Sequence, residues 1–130
     1  MQTPIIAIID DHQDTRNILE IVLKDQYLVR SYSNAHDAFT EMKKQKPDLV
    51  ITDMLLQEGG TELVRWMRAD PILRKTPAIV LTGLPFDKGF AAAGFQSFLQ
   101  KPVENDRLMQ VVKNSLNFSQ AAHVECVPAA

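Results

Sequence analysis

The chain has 130 residues, 45% of them hydrophobic and 23% charged, with 14 basic side chains against 16 acidic ones. That size and balance fit one domain around a single core, exclude a second domain of ordinary size, and supply no field that would draw the chain onto nucleic acid or an anionic membrane. The single Cys126 excludes an internal disulfide, and no apolar run is long enough to span a bilayer or to form a signal-peptide core, which points to a reducing cytoplasm.

IIAII, residues 5 to 9, is apolar at consecutive positions, which predicts a buried strand, and it runs straight into Asp10 and Asp11. Ile18, Leu19, Val22 and Leu23 recur at helical spacing and predict a first helix, followed by a second strand over Tyr27 to Tyr32. Ala35, Ala38, Phe39 and Met42 predict a second helix, whose basic last turn KKQK (43 to 46) suits the negative end of the helix dipole and is not a nucleic-acid patch. Pro47 stops that helix, and Leu49 to Thr52 predicts a third strand ending at Asp53. Leu63, Val64 and Met67 predict a third helix, with Trp66 packing across the edge of its apolar stripe. Pro71 and Pro77 bracket the approach to a fourth strand over Ala78 to Thr82, while Gly59, Gly60 and Gly94 permit turns. Phe95 to Leu99 predicts a fifth strand, and Leu108, Val111, Val112 and Leu116 predict the last helix. Residues 1–118 are expected to form the domain, and SQAAHVECVPAA, residues 119–130, loses all periodicity and is expected to fray as a disordered tail.

Strict alternation of strands and helices implies parallel strands with helical crossovers on both faces, a doubly wound α/β fold of three layers around a five-stranded sheet. In such a sheet all carboxyl ends of the strands face one edge, where ligands bind. That edge collects Asp10 and Asp11 from the first strand, Asp53 from the third, Thr82 from the fourth and, after Gln100, Lys101 from the fifth. Taken singly, an Asp there is as often a helix N-cap, Thr82 a strand residue and Lys101 a surface lysine. Jointly they bring three mutually repelling carboxylates together, and a hard divalent cation that keeps some water and joins a phosphoryl group, Mg²⁺, resolves the repulsion.

The segments IIAIIDD (5 to 11), KPDLVITDM (46 to 54), AIVLTG (78 to 83) and AGFQSFLQKP (93 to 102) resemble, in order and spacing, the receiver domains of two-component response regulators. The resemblance covers residues from 4 to 117 and implies a flavodoxin-like fold with strand order 2-1-3-4-5. It implies that Asp53 accepts a phosphoryl group from a histidine kinase or histidine phosphotransfer protein. Asp11 is similar to a direct Mg²⁺ ligand, Asp10 to one acting chiefly through water, and the Leu55 carbonyl to a further ligand. Lys101 and the Thr82 hydroxyl would take phosphoryl oxygens, with Lys101-Pro102 resembling the family's Lys-Pro pair, typically cis. The family's switch would pair Thr82 with Phe98, which lacks a hydroxyl and would act by packing alone.

Departures from the family pattern carry expectations of their own. Gln57 stands where the family usually has proline, which loosens the geometry through Leu55. The span TGLPFDKGFAAAG, with Pro85 and Gly89, is short by about one helical turn and predicts a short or irregular fourth helix. Leu55 and Leu84 would shield the acyl phosphate without orienting water, so the phosphoryl group should be lost slowly. His12 is expected to be solvated, and His36, His123 and Cys126 match no ligand spacing. A haloacid-dehalogenase-like phosphatase would place Asp-x-Asp after the first strand where this chain has Asp10-Asp11-His12, and the acidic DDHQD would repel a phosphate-bearing cofactor. A degenerate receiver that only binds partners would not need all five site residues. With Met1 just ahead of the first strand and little chain after Leu116, the expectation is a stand-alone regulator or phosphorelay intermediate. It would act in the cytoplasm by protein contact with an unknown target, as a monomer or weak dimer, without touching nucleic acid or membrane.

Overall fold

The structure, a computed structural model, describes residues 3–53, 60–83, 89–118 and 127–128. Strands β1 (Ile5–Ile9), β2 (Leu28–Tyr32), β3 (Leu49–Asp53), β4 (Ala78–Thr82), β5 (Ser97–Gln100) and β6 (Val127–Pro128) form one sheet in the order β2-β1-β3-β4-β5-β6. Every adjacent pair is parallel. Helices α1 (Gln13–Leu23), α2 (Ala35–Lys44), α3 (Gly60–Ala69), α4 (Gly89–Ala93) and α5 (Asn105–Phe118) surround it. The first five strands have the expected flavodoxin-like order. A short sixth strand is an addition: Val127 pairs with Ser97 and Pro128 with Phe98. It falls in the tail that was expected to fray, the other residues of which lie outside those described.

The two-residue period of the strands divides the core between two faces. Ala7, Ile9, Val50, Ala78, Val80 and Phe98 pack with Ala35, Ala38 and Met42 of α2, Leu63, Val64 and Met67 of α3, and Phe90 of α4. Ile6, Ile8, Leu49, Ile51, Ile79, Leu81 and Leu99 pack instead with Leu19 and Leu23 of α1 and Leu108, Val111 and Val112 of α5. Strands β3 and β4 are buried at every position, as the apolar runs required. Within α1 the stripe is narrower than its periodicity suggests, since Ile18 and Ile21 face solvent while Leu19 and Leu23 are buried. Trp66 is half-buried against His36 and Phe39, with ring centroids 5.9 and 5.7 Å away. The end of α2 is as expected, with Lys44 3.2 Å from Glu41 and Lys43 over the Phe39 ring.

The turn into β5 explains why that strand starts two residues later than its pattern predicts. Among the described residues α4 has five residues and ends on Gly94, whose φ is 109°, a left-handed conformation suited to glycine. The Gly94 N–H donates to the Ala91 carbonyl and the Phe95 N–H to the Phe90 carbonyl, each at 3.0 Å. This is a Schellman cap, completed by the edge-on contact of Phe90 with Phe95. Phe95 is therefore a cap residue, and Gln96 spends its side-chain oxygen accepting the Ala78 N–H, so β5 begins at Ser97. A Cβ at Gly94 would lie 2.8 Å from Val64 Cγ1 as well as forcing the backbone. Gly94→Ala is expected to cost roughly 2 kcal/mol or more, read from urea midpoints; a loss below about 0.5 kcal/mol would mean that the turn relaxes.

Candidate functional site

The strand order reverses between β1 and β3, and the register sets the polar residues at that point. Ile9 pairs with Thr52, so Asp10 and Asp53 leave adjacent strands side by side. Asp53 pairs with Leu81 and Thr82 with Gln100, and the Lys101 N–H donates to the Thr82 carbonyl at 2.7 Å. The carboxyl ends of four strands thus deliver Asp10, Asp11, Asp53, Thr82 and Lys101 to one edge, the place where an open α/β sheet binds ligands. The Lys101-Pro102 peptide bond is cis, as the resemblance to the family's Lys-Pro pair implied.

Asp10 is fully buried, Asp53 and Thr82 nearly so, and Asp11 is open to solvent. Carboxylate oxygens of Asp10, Asp11 and Asp53, together with a ring nitrogen of His12, all lie within 4.8 Å of one another. Lys101 Nζ, one-third exposed, sits 3.4 Å from Asp53 Oδ1 and 3.7 Å from Asp10 Oδ2. One ammonium against three carboxylates leaves the cluster acidic. Asp10 Oδ1 accepts the His12 N–H at 2.9 Å, which serves the start of α1, whereas Asp10 Oδ2 is buried with no hydrogen-bond partner among the described residues. Lys101 at 3.7 Å is an electrostatic neighbour beyond hydrogen-bond range. A buried carboxylate oxygen with no hydrogen-bond partner among the described residues, in a side chain clustered with two other carboxylates, fits an oxygen-seeking divalent cation.

Five residues singled out from sequence, Asp10, Asp11, Asp53, Thr82 and Lys101, come to one edge. Phe98 is buried on the face shared with α3 and α4, its ring centroid 5.8 Å from that of Phe90, and it also lines a cleft of about 220 Å³ with Pro102, Val103, Glu104 and Arg107. Leu55, Gln57, Leu84, Pro85, His123 and Cys126 lie outside the described residues. Two further residues reach this edge, Arg16, which the sequence reading does not single out, and His12. Arg16 donates to the Asp10 carbonyl at 2.7 Å and pins the turn that carries the paired carboxylates. His12 is 72% exposed in its side chain, as expected, yet its Nδ1 lies 3.0 Å from Asp11 Oδ1 and 3.4 Å from Asp10 Oδ1. Its position beside the carboxylates was the only sequence signal for this.

A family model for the response regulator receiver domain matches residues 6–113. The chain is 30% identical over 130 residues to response regulator Rre1 of Synechocystis, covering 94% of this chain and 56% of that protein's length. A crystal structure assigned to a response regulator of Chloroflexus aurantiacus J-10-fl superimposes with a TM-score of 0.82 at 30% identity, covering 89% of this chain and 99% of that one. The receiver domain of sensor histidine kinase PA1611 from Pseudomonas aeruginosa PAO1, solved with a magnesium ion coordinated in its active-site cleft, superimposes with a TM-score of 0.81. At 23% identity, covering 89% of this chain and 99% of that one, this last likeness is one of fold.

Proposed function

Because the chain belongs to the response regulator receiver domain family, we propose that it accepts a phosphoryl group on Asp53 in a reaction that depends on Mg²⁺, and that it signals through protein contact. The observation that carries this reading is the convergence of Asp10, Asp11 and Asp53 within 4.8 Å, with Lys101 3.4 Å from Asp53. Asp10, Asp11 and Asp53 would hold the cation, with the Leu55 carbonyl as a further ligand. When bound, the cation offsets carboxylate charge and takes a phosphoryl oxygen.

The chain's own residues do the rest. A carboxylate oxygen of Asp53 attacks the phosphorus of a phosphohistidine on a histidine kinase or phosphotransfer protein; the P–N bond breaks and a P–O bond forms, giving an acyl phosphate. An ionised carboxylate is already a nucleophile, so no general base is required, and catalysis reduces to positioning and charge compensation. Lys101 stands close enough to move from the carboxylates to an incoming phosphoryl oxygen, and Thr82 at the end of β4 offers a hydroxyl to another. Phe98 couples the site to the surface by packing. It touches Phe90 and lines the cleft beside Pro102, so a movement of its ring changes a face that a protein target can read. In this reading the receiver passes its signal by contact with a target protein or hands the phosphoryl group on as a phosphorelay intermediate.

Intact-mass measurement after incubation with acetyl phosphate and Mg²⁺ tests the reading. The native protein is expected to gain one phosphoryl group and Asp53→Asn none. No gain in the native protein, or an undiminished gain in the variant, would overturn it.

A further inference from the structure

We propose that His12 adds a nitrogen ligand to the carboxylate cluster, so that this receiver discriminates in favour of first-row transition cations such as Mn²⁺ over Mg²⁺. The inference rests on the reading that Asp10, Asp11 and Asp53 hold a divalent cation and goes beyond it by naming what sets the cation's identity.

Three observations converge on His12. First, its ring nitrogen lies with the three carboxylates inside the same 4.8 Å set. Second, the spacing suits shared coordination: bonds of about 2.1 Å in an octahedron set neighbouring ligand atoms about 3 Å apart, and His12 Nδ1 is 3.0 Å from Asp11 Oδ1 and 3.4 Å from Asp10 Oδ1. Third, the imidazole has no capping task. His12 occupies the N-cap position of α1, where Ser, Thr, Asp or Asn is preferred, and its side chain makes no cap hydrogen bond. Asp10 Oδ1 takes the His12 N–H instead, and the other oxygen of that fully buried carboxylate has no hydrogen-bond partner among the described residues. A pocket with only oxygen donors suits Mg²⁺, whereas a neutral imidazole beside the carboxylates raises affinity along the Irving–Williams series while adding little for Mg²⁺.

The bland account is that His12 only hydrogen-bonds Asp11 and holds it in place. In that case its loss would weaken every divalent cation equally, which makes the ratio of affinities the decisive readout. Calorimetric titration of the full chain with MgCl₂ and with MnCl₂ gives that ratio for the native protein, His12→Ala and His12→Asn; the last variant supplies a capping side chain without an imidazole. The ratio of Mn²⁺ to Mg²⁺ affinity is expected to fall about tenfold in both variants. Pulsed electron paramagnetic resonance of bound Mn²⁺ is expected to show a ¹⁴N coupling that both variants lack. An unchanged ratio with both metals bound would overturn the role of His12 and leave the carboxylate site standing. Failure of the native protein to bind either metal would overturn the site itself, and the inference with it.

Discussion

Asp10→Asn is expected to bind Mg²⁺ about 100-fold more weakly than the native protein while remaining folded, a change on the order of 2.8 kcal/mol. The carboxylate it removes is fully buried and lies within 4.8 Å of those of Asp11 and Asp53. At an effective dielectric constant near 20, two unit charges about 4 Å apart interact by about 4 kcal/mol, so losing one of three negative charges weakens a divalent cation by several kcal/mol before desolvation offsets part of it. Asparagine keeps the acceptor for the His12 N–H, which Asp10 Oδ1 now receives at 2.9 Å. In metal-free buffer the exchange relieves repulsion within the cluster, while Lys101 retains Asp53 at 3.4 Å. The urea midpoint without Mg²⁺ should therefore be no lower than that of the native protein, and Mg²⁺ should raise it less. Equal Mg²⁺ affinity in a folded variant would place the cation elsewhere.

Arg68→Met is expected to be the most damaging single change away from that edge, costing about 3 kcal/mol or more in urea unfolding. The guanidinium donates to the carbonyls of Gly94 at 3.1 and 2.8 Å, of Leu73 at 3.3 Å, of Arg74 at 3.1 Å and of Thr76 at 2.7 Å, and to Gln96 Oε1 at 3.2 Å. Among the described residues no carboxylate pairs with it, and burial pushes the Arg68 guanidinium pKa below its ordinary value. Among the described residues its charge is held by carbonyl dipoles, yet so basic a group stays protonated. Methionine fills similar space but donates nothing; Gln96 Oε1 keeps the Ala78 N–H and the Leu73 carbonyl keeps the Thr76 N–H, while the Gly94, Arg74 and Thr76 carbonyls lose the guanidinium at about 1 kcal/mol or more for each one that water cannot reach. The end of α3, the approach to β4 and the start of β5 all meet at this side chain, so the damage should spread to the alignment of β5 with Lys101. Arg68→Lys should recover only part of the loss, because an ammonium cannot span a planar fork of acceptors. A loss below about 1 kcal/mol for the methionine variant would show that water replaces the guanidinium.

Much of the candidate site was legible because its residues stand where chain chemistry changes abruptly. Asp10, Asp11 and Asp53 each follow an unbroken apolar run, and Lys101 precedes a proline, so a strand end and its polar group could be read together. His12 was discounted because sequence position places it in a helix start without saying where the ring turns; the 3.0 Å approach to Asp11 is a property of the folded turn. Arg68 carried no signal at all, since its partners are mainly backbone carbonyls, which every residue has. The late start of β5 was hidden for a related reason. Phe95 fits a strand pattern but is used to close a helix, a choice that Gly94 and Phe90 make together.

By itself the sequence determined the alternation of strands and helices, the division of apolar residues between two faces, and the acidic edge, because period and polarity are local properties of the chain. Only the tertiary structure decided that Asp10 keeps an oxygen without a hydrogen-bond partner among the described residues, that His12 turns toward the carboxylates and that Lys101 spans Asp10 and Asp53. Those facts depend on distances between residues as far apart in the chain as Asp10 and Lys101, and such distances exist only once the sheet has set its register.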